Sequence, residues 1–292
     1  MLNNLRRKNP KKFYRKFKKI KKPIHSEIAI EQFEEHFSKL MIKGNISTND
    51  NNNVNLENIF EELVVTFTEV ELDKCGKVLK KNKSVGTDNI INEYILTGKT
   101  TLIPVLCKLF NNIFMSSIFP ELWVKSIIIP IFKKGDVNDT GNYRGISLVS
   151  HVGIFFTLLI NSRLLKWSEE NAILTDAQFG FRPGLGTRDA IFALHSLISN
   201  TSRKGKRLYC CFIDYFKAFD SVAHVKLWLK LSRSGMTGKL LNVIKSMYSK
   251  LKASVRLDSN YSDIFTCNVR LMQGVSLYPP LYSLYVNDIK LN

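Results

Sequence analysis

The sequence predicts an α+β fold that is rich in helices and contains a small antiparallel sheet. Long stretches carry apolar residues every three or four positions, which is the period of a helix with one buried face. A few short runs are instead dense in β-branched and aromatic residues, as strands are. With 292 residues, of which 45% are hydrophobic, the chain can bury the core of one large domain or two modest ones.

The first 22 residues form a basic arm with eleven Lys or Arg and no acid. Such a block acts as a solvated disordered arm, as a set of phosphate contacts or as a nuclear import signal, and we favour the disordered arm with phosphate contact as a companion role. Apolar spacing predicts a helix between Glu27 and Lys43, and an Asn-rich run from Asn45 to Asn58 predicts a linker. We therefore divide the chain into an arm with a short helix (1–43), a linker (44–65) and a main domain (66–292).

Further segments with helical spacing follow along the chain. The first begins after Thr68, where Thr68 and Glu71 form the capping-box pattern, and Gly235 suits the position just after a helix end. The predicted helices are 70–79, 102–118, 152–170, 187–199, 222–234 and 239–250, followed by a last apolar segment at 277–291.

Four short segments are predicted to be strands. Residues 123–132 contain four isoleucines, but Pro130 cannot donate to a ladder, which places this strand at an edge or a bulge. Residues 254–257 and 264–269 flank an Asp-Ser-Asn turn and resemble a hairpin. Residues 208–213 are uncharged and mostly bulky, which predicts a buried strand.

Asp214 stands where this buried strand would leave the sheet, and Asp220 follows six residues later. An ionised carboxylate at such a place has to be hydrogen-bonded, ion-paired or metal-bound, because leaving it unpaired costs roughly several kcal/mol. Aspartate is also a common cap of a following turn or helix. From these residues alone, capping and metal binding both stay open.

The charge and the cysteine content limit the partners, the kinds of site and the cellular location that we expect. A formal charge of +18 and a pI near 9.7 indicate a polyanionic partner or an anionic membrane surface, and nucleic acid is the leading candidate. The five cysteines include no C-x-x-C pair, so a zinc site and a disulfide framework are not indicated. The N-terminus has no apolar signal segment, and the longest apolar run, near 152–160, is too short to span a bilayer. We expect a nuclear or cytoplasmic protein that is not secreted.

Several motifs, taken in order, resemble the reverse transcriptase domain of non-LTR (LINE-like) retrotransposons. The family's N-terminal extension motif is similar to Lys83-Ser-x-Gly-x-Asp88, and its fingers motif is similar to IPIFKKGD followed by NYRGISL, although Gly145 stands where proline is common. QFGFR at 178–182 and FIDYFKAFD at 212–220 are similarly close. The resemblance runs from about Thr66 to the C-terminus and is strongest over about 114–292.

The resemblance implies the fingers and an incomplete palm of a right-hand polymerase, without a thumb. The implied activity is RNA-directed DNA polymerisation on an RNA template and a DNA primer, with a dNTP as substrate and Mg²⁺ as the cofactor of a two-metal nucleotidyl transfer. Asp214 would be the catalytic metal ligand. Phe219 would be the gate that selects deoxynucleotides, and Asp220 would be structural.

The same motifs imply the residues that bind the substrate. Lys133 and Arg144 would bind the β- and γ-phosphates, and Lys134 is a second candidate for the role of Lys133. Gln273 and Gly274 would pack near the templating base pair.

The chain also departs from the family pattern. Met272 replaces a basic residue, and Pro280 lies early in a predicted helix, where a proline beyond the first turn would cost about 3 kcal/mol. The sequence ends at Asn292, before the F/Y-A-D-D hairpin that supplies the partner aspartates, and Asp288 cannot replace them. We therefore expect the isolated fragment to be inactive. The alternatives are a non-catalytic nucleic-acid-binding remnant of a retroelement and a metal-dependent nuclease or phosphatase, which lacks a supporting Asp-x-Asp pair or His cluster.

Overall fold

The computed structural model describes residues 27–42, 60, 63–215, 218, 222–267 and 275–288. These residues form ten α-helices, one 3-10 helix and five strands. In chain order they are α1 Ile30–Met41, α2 Glu69–Gly76, α3 Asn92–Thr97, α4 Lys99–Ser116, α5 Glu121–Val124, β1 Lys125–Phe132, the 3-10 helix Thr140–Asn142, β2 Tyr143–Leu148, α6 His151–Glu170, α7 Thr187–Arg203, α8 His224–Arg233, α9 Gly238–Ser249, β3 Lys252–Leu257, β4 Asn260–Tyr261, β5 Phe265–Thr266 and α10 Tyr278–Val286. The basic arm and nearly all of the predicted linker lie outside the described residues.

The predicted helices are confirmed, with ends that shift by a few residues, whereas the short helices α3 and α5 were not predicted. At the start of α2, the Thr68 hydroxyl accepts from the Glu71 amide (3.3 Å) and the Glu71 carboxylate accepts from the Thr68 amide (2.9 Å), as the capping-box pattern predicts. Pro280 lies in the first turn of α10, where its missing amide leaves no helical hydrogen bond unmade. None of the described helices is both long and apolar enough to cross a bilayer.

The sheet is mixed and has the strand order β2-β1-β3-β4, with β5 also paired to β3. The β1–β2 pair is antiparallel, but β1 and β3 are parallel, from Lys125 opposite Lys252 to Ile128 opposite Val255. The predicted small antiparallel sheet is therefore wrong in one respect, because the β1–β3 pair is parallel and makes the sheet mixed. The reason is the connection from β2 to β3, which runs through four helices and brings the chain back in the direction of β1, as a long crossover does.

Pro130 marks the point where β1 changes from an internal strand to an edge. The pairing of β1 with β3 ends at Ile128, and among the described strands Pro130 pairs with β2 alone, opposite Gly145. A proline is tolerated there because one side of the strand needs no ladder hydrogen bond. The predicted edge placement is correct for the second half of β1 and wrong for the first half.

Residues 206–215 have no regular secondary structure, so the predicted buried strand at 208–213 is wrong. Tyr209 and Phe212 are 85% and 82% exposed, and the preceding helix α7 has no buried residue. A β-like composition produces a strand when another strand pairs with its amides and carbonyls. None of the five described strands pairs with this segment.

The core lies around α6, which has eleven buried residues. Rings from α4, from α6 and from the segment before α2 pack edge to face there: the Phe67 and Phe114 centroids are 5.1 Å apart, and those of Phe110 and Phe156 are 5.2 Å apart. Helix α1 covers part of the sheet through Phe33 and Phe37, which are fully or almost fully buried.

Arg163 of α6 joins this core to the segment before α2. Its guanidinium donates to both carboxylate oxygens of Glu71 at 2.9 Å and to the carbonyls of Val65 and Thr66, and it lies 4.2 Å from the centroid of the Phe67 ring. Burial opposes ionisation of Glu71, but the hydrogen bonds from Arg163 and Thr68 outweigh it and hold the pKa of this carboxyl below its usual value.

Candidate functional site

The β1–β2 hairpin presents two of the predicted site residues. Lys133 directly follows β1, and its amide donates to the Asn142 carbonyl (2.9 Å). Arg144 lies in β2, opposite Ile131 of β1. Both side chains are exposed, and neither forms an ion pair with an acid in the described part of the chain. Two cations without counterions are thus brought to one end of the hairpin, where an anionic group could receive charge-assisted hydrogen bonds from them.

The loop between the two strands is held by its own polar side chains. Asp136 accepts from the Asn138 amide (2.9 Å), Asp139 accepts from the Gly141 amide (2.8 Å), and the Asn142 side chain donates to the Asp136 carbonyl (3.0 Å). Gly135 has a φ of +100°, and a Cβ there would lie 2.7 Å from the Asn142 amide nitrogen. Asp136 and Asp139 therefore form hydrogen bonds within the loop, and neither forms an ion pair with Lys133 or Arg144.

Gly145 has a packing reason to differ from the proline that is common in the family motif. It is buried, and a Cβ at this position would lie 2.8 Å from both Ile128 Cγ2 and Phe37 Cε1. Phe37 belongs to α1, which packs on the sheet at this point. The absence of a side chain thus lets α1 approach β2 closely.

Asp214 lies in the exposed segment that follows α7. It has no hydrogen bond or ion pair with another described residue. Residues 216 and 217, whose amides a capping Asp214 would bind, lie outside the described residues, so capping and metal binding both stay predictions. Its carboxylate is open to solvent and able to bind a cation. The structure does not show it in contact with Lys133 or Arg144.

The remaining predicted site residues, Phe219, Gln273 and Gly274, lie outside the described residues, as does Asp220. Asp288 is described and is paired with Lys230, which lowers the pKa of the aspartate mainly through their hydrogen bond. Lys230 also lies 4.7 Å from the centroid of the Tyr285 ring. Asp288 therefore joins the segment after α10 to α8, and its inability to replace a catalytic acid stays a prediction.

Among the described residues, no three His, Cys, Asp or Glu side chains come together as a metal site. Asp214 provides an oxygen ligand of the kind that Mg²⁺ prefers. A two-metal centre needs several such ligands converging on one point. Among the described residues, Asp214 is thus one candidate ligand and not a complete site.

Arg182 of the QFGFR motif has a structural role that the sequence did not reveal. Its guanidinium binds Glu169 of α6 through two hydrogen bonds of 2.7 and 2.9 Å and donates to the Thr175 carbonyl (2.9 Å). The hydrogen bond from Arg182 lowers the pKa of Glu169. Arg182 therefore holds the turn-rich segment after α6 against that helix.

Gly86 of the Lys83–Asp88 motif contacts the start of α6. A Cβ at Gly86 would lie 2.4 Å from the Val149 carbonyl carbon and oxygen, so the loop needs a glycine to lie this close to another backbone. Beside this contact is a cavity of about 530 Å³, whose lining includes Lys80, Lys83 and His151. The motif singled out this loop in the sequence, but nothing in the sequence indicated that His151 would line the cavity beside the loop.

The comparisons with known proteins agree with the motifs. The profile of the family described as "Reverse transcriptase (RNA-dependent DNA polymerase)" matches residues 131–291, which include Lys133, strand β2 with Arg144, and Asp214. The chain is 31% identical over 220 residues to a probable RNA-directed DNA polymerase from transposon BS of Drosophila melanogaster, with 75% of this chain and 24% of that protein covered.

Two further relatives are similar over the same share of the chain. The RNA-directed DNA polymerase from mobile element jockey of Drosophila funebris is 31% identical over 226 residues, covering 77% of this chain and 24% of that protein. The retrovirus-related Pol polyprotein from type-1 retrotransposable element R2 of Nasonia vitripennis is 24% identical over 219 residues, covering 75% and 20%. The chain therefore spans about a quarter or less of the length of these curated relatives.

Proposed function

Since this chain belongs to the reverse transcriptase family and is related to the polymerases of non-LTR retrotransposons, we propose that it binds an RNA template, a DNA primer and a deoxynucleoside triphosphate. The observation that carries this proposal is the pair of exposed cations on the hairpin, Lys133 and Arg144, which lie within the matched region and have no acidic ion-pair partner among the described residues. The formal net charge of the whole chain, +18, suits a nucleic-acid partner.

Each site residue has a role in the proposal. Lys133 and Arg144 bind the β- and γ-phosphates through charge-assisted hydrogen bonds. Phe219 selects deoxynucleotides, and Gln273 and Gly274 pack near the templating base pair. Asp214 binds Mg²⁺, which when bound neutralises charge on the phosphates and activates the primer hydroxyl.

We expect the 292-residue polypeptide to bind a primer–template and to extend it poorly or not at all. Asp214 is the one carboxylate that the motifs assign to catalysis, whereas nucleotidyl transfer needs several carboxylates. Primer extension on poly(rA)/oligo(dT) with Mg²⁺ or Mn²⁺ measures this. Robust synthesis that is abolished by Asp214→Ala would contradict the expected inactivity and would support the role of Asp214.

The phosphate role of Arg144 has a direct test. We expect Arg144→Gln to weaken binding of a fluorescent dNTP to the protein–primer–template complex by about tenfold or more, because a hydrogen bond to a charged group contributes about 1.5–3 kcal/mol. Arg188→Gln, which changes an exposed arginine on α7, is the matched control and should leave the affinity unchanged. Equal affinities of the Arg144→Gln protein and the unaltered protein would refute the assignment.

A non-catalytic nucleic-acid-binding role is the second candidate. It is favoured by the single carboxylate that the described residues bring to the site, together with the basic arm. Under this role the protein binds oligonucleotides without any dependence on a dNTP or on Asp214.

Two other expectations stay predictions. They are the segment boundaries at 43 and 65 and the nuclear or cytoplasmic location of the protein.

A further inference from the structure

The loop between β1 and β2 connects the two cations that are assigned to the phosphates. Lys133 lies at the start of the loop, and Arg144 is the second residue of β2, just after its end. Beyond the last strand pair, Phe132 opposite Tyr143, the Lys133 amide donates to the Asn142 carbonyl at 2.9 Å and closes the loop. The position of the Lys133 side chain relative to Arg144 therefore depends on how the loop is held.

Asn142 connects the separate parts of this loop. Its side-chain amide donates to the Asp136 carbonyl at 3.0 Å and to the Asp139 carboxylate at 3.4 Å. Its own carbonyl is the acceptor for the Lys133 amide. The Asp139 carboxylate also accepts from the Gly141 amide at 2.8 Å. Asn142 thus joins the start, the middle and the end of the loop.

The backbone at Gly135 leaves room for the Asn142 side chain. A Cβ at Gly135 would lie 2.7 Å from Asn142 Nδ2 and 2.9 Å from Asn142 Oδ1, so the amide packs directly against the glycine. Gly135 follows Lys133 and Lys134 in the chain. The Asn142 side chain is therefore held next to the backbone that carries these two lysines.

Asn142 has no free donor for a phosphate. An amide side chain has two N–H bonds, and Asp136 and Asp139 accept both of them. The remaining polar atom of the side chain, Oδ1, is an acceptor and would repel an anionic oxygen. The side chain therefore acts on phosphate binding through the loop and not by touching the phosphate.

We propose that Asn142 is a positioning residue, which holds the loop so that Lys133 is oriented for the same triphosphate as Arg144. Ordering a loop and its side chains is part of the free-energy cost of binding, and a loop that is already held lowers that cost. This inference rests on the proposed function, which assigns the phosphates to Lys133 and Arg144.

A double-mutant cycle tests the proposal. Binding of a fluorescent dNTP to the complex of the 292-residue protein with primer–template is measured for Asn142→Ala, for Lys133→Gln and for the double variant. We expect Asn142→Ala to weaken dNTP binding about three- to tenfold, as leaving one or two side chains to be ordered on binding does, and to leave the affinity for primer–template unchanged. In the Lys133→Gln background, Asn142→Ala should have little further effect, because it acts through Lys133.

Two further variants make the cycle specific. Asn112→Ala makes the same chemical change at an exposed residue of α4 and should leave dNTP affinity unchanged. Gly135→Ala should weaken dNTP binding in the same range as Asn142→Ala, because its Cβ displaces the Asn142 amide. Circular dichroism melting shows whether each variant folds. Gly135→Ala keeps the test valid if Asn142→Ala does not fold, since Gly135 is exposed.

The possible results separate the positioning role from the proposed function. Weaker dNTP binding with Lys133→Gln but not with Asn142→Ala would overturn the positioning role and leave the proposed function intact. Losses that multiply in the double variant, or an equal loss of dNTP and primer–template affinity, would also refute it, because Asn142 would then act independently of Lys133 or on the fold as a whole. No effect of either Lys133→Gln or Arg144→Gln would overturn the proposed phosphate site, and the positioning role with it.

Discussion

Gly145 shows how one missing side chain decides the packing between two elements. The motif around it is close to the fingers motif of the family, and the difference at this residue is explained by Phe37 and Ile128, which fill the space that a side chain would take. The sequence showed the departure from the motif. It could not show the reason, because Phe37 is more than one hundred residues away in the chain.

We predict that Gly145→Ala lowers the free energy of unfolding by about 1–3 kcal/mol, the usual cost of adding an atom to a filled core. The added Cβ has to displace Phe37 or Ile128 from contacts that would otherwise be 2.8 Å. Urea unfolding followed by circular dichroism measures the change. Gly180→Ala is the control, since the nearest atom to its Cβ would be 3.9 Å away, and an equal loss in both variants would contradict the prediction.

The site residues were predictable to different degrees. The resemblance to the family's fingers motif selected Lys133 and Arg144, and the β1–β2 register then brought them to one exposed end of the hairpin. Asp214 was also selected by its motif, but the buried strand expected before it is absent from the described structure. His151 and Asn92, which line the same cavity, could not be selected, because they share no motif and folding brings both to that cavity.

At the scale of elements, the contact between α6 and the segment before α2 depends on Arg163. Its guanidinium donates to Glu71 and to two backbone carbonyls, and its side chain is 10% exposed. A lysine would keep the charge but could not make the same planar set of hydrogen bonds. The capping-box pattern predicted the helix start at Thr68, but it gave no sign of this partner from α6.

We predict that Arg163→Ala lowers the free energy of unfolding by about 2 kcal/mol, and Arg163→Lys by less, because hydrogen bonds to a charged group are lost. Glu35→Gln, which breaks an exposed pair with Lys39, should have little effect and serves as the control. Chemical unfolding at pH 7 measures all three variants. A loss for Arg163→Ala no greater than that for Glu35→Gln would contradict the prediction.

The same ion pair predicts a dependence on pH. The pKa of Glu71 is lower in the folded protein than its ordinary value of 4.5, so its stabilising contribution is present above pH 4.5 and is lost as the pH falls through the lower folded value. We expect the stability difference between the unaltered protein and Arg163→Ala to shrink below pH 4.5. Unfolding curves between pH 3 and 7 measure it, and a difference that grows towards low pH would refute the assignment.

At the scale of the whole molecule, the positive charge is distributed unevenly. The arm at 1–22 carries eleven of the charges, which leaves a formal charge of 18 − 11 = +7 on the other residues. If the arm contacts phosphates, it releases counterions from the nucleic acid on binding. The affinity of the protein for nucleic acid should then depend strongly on salt.

We predict that deleting residues 1–22 makes the slope of log K against log salt concentration less steep, by about 0.7–0.9 for each phosphate contact that is lost. Fluorescence anisotropy with a labelled oligonucleotide at several salt concentrations measures the slope. An arm with its residues in shuffled order keeps the charge and should keep the slope. An unchanged slope after deletion would show that the arm makes no phosphate contact.

Local patterns were sufficient for the longer helices, for strand β1 and for the family, because helix periodicity, capping and motif order are properties of neighbouring residues. Those patterns do not specify which distant segments of the chain pair with each other. The parallel β1–β3 pair, the exposure of residues 206–215 and the cavity at His151 all depend on which segment packs beside which. Residues 208–213 have the composition of a strand. Such a segment forms a strand when a neighbouring strand forms hydrogen bonds with its backbone, and its composition does not determine whether that neighbour is present.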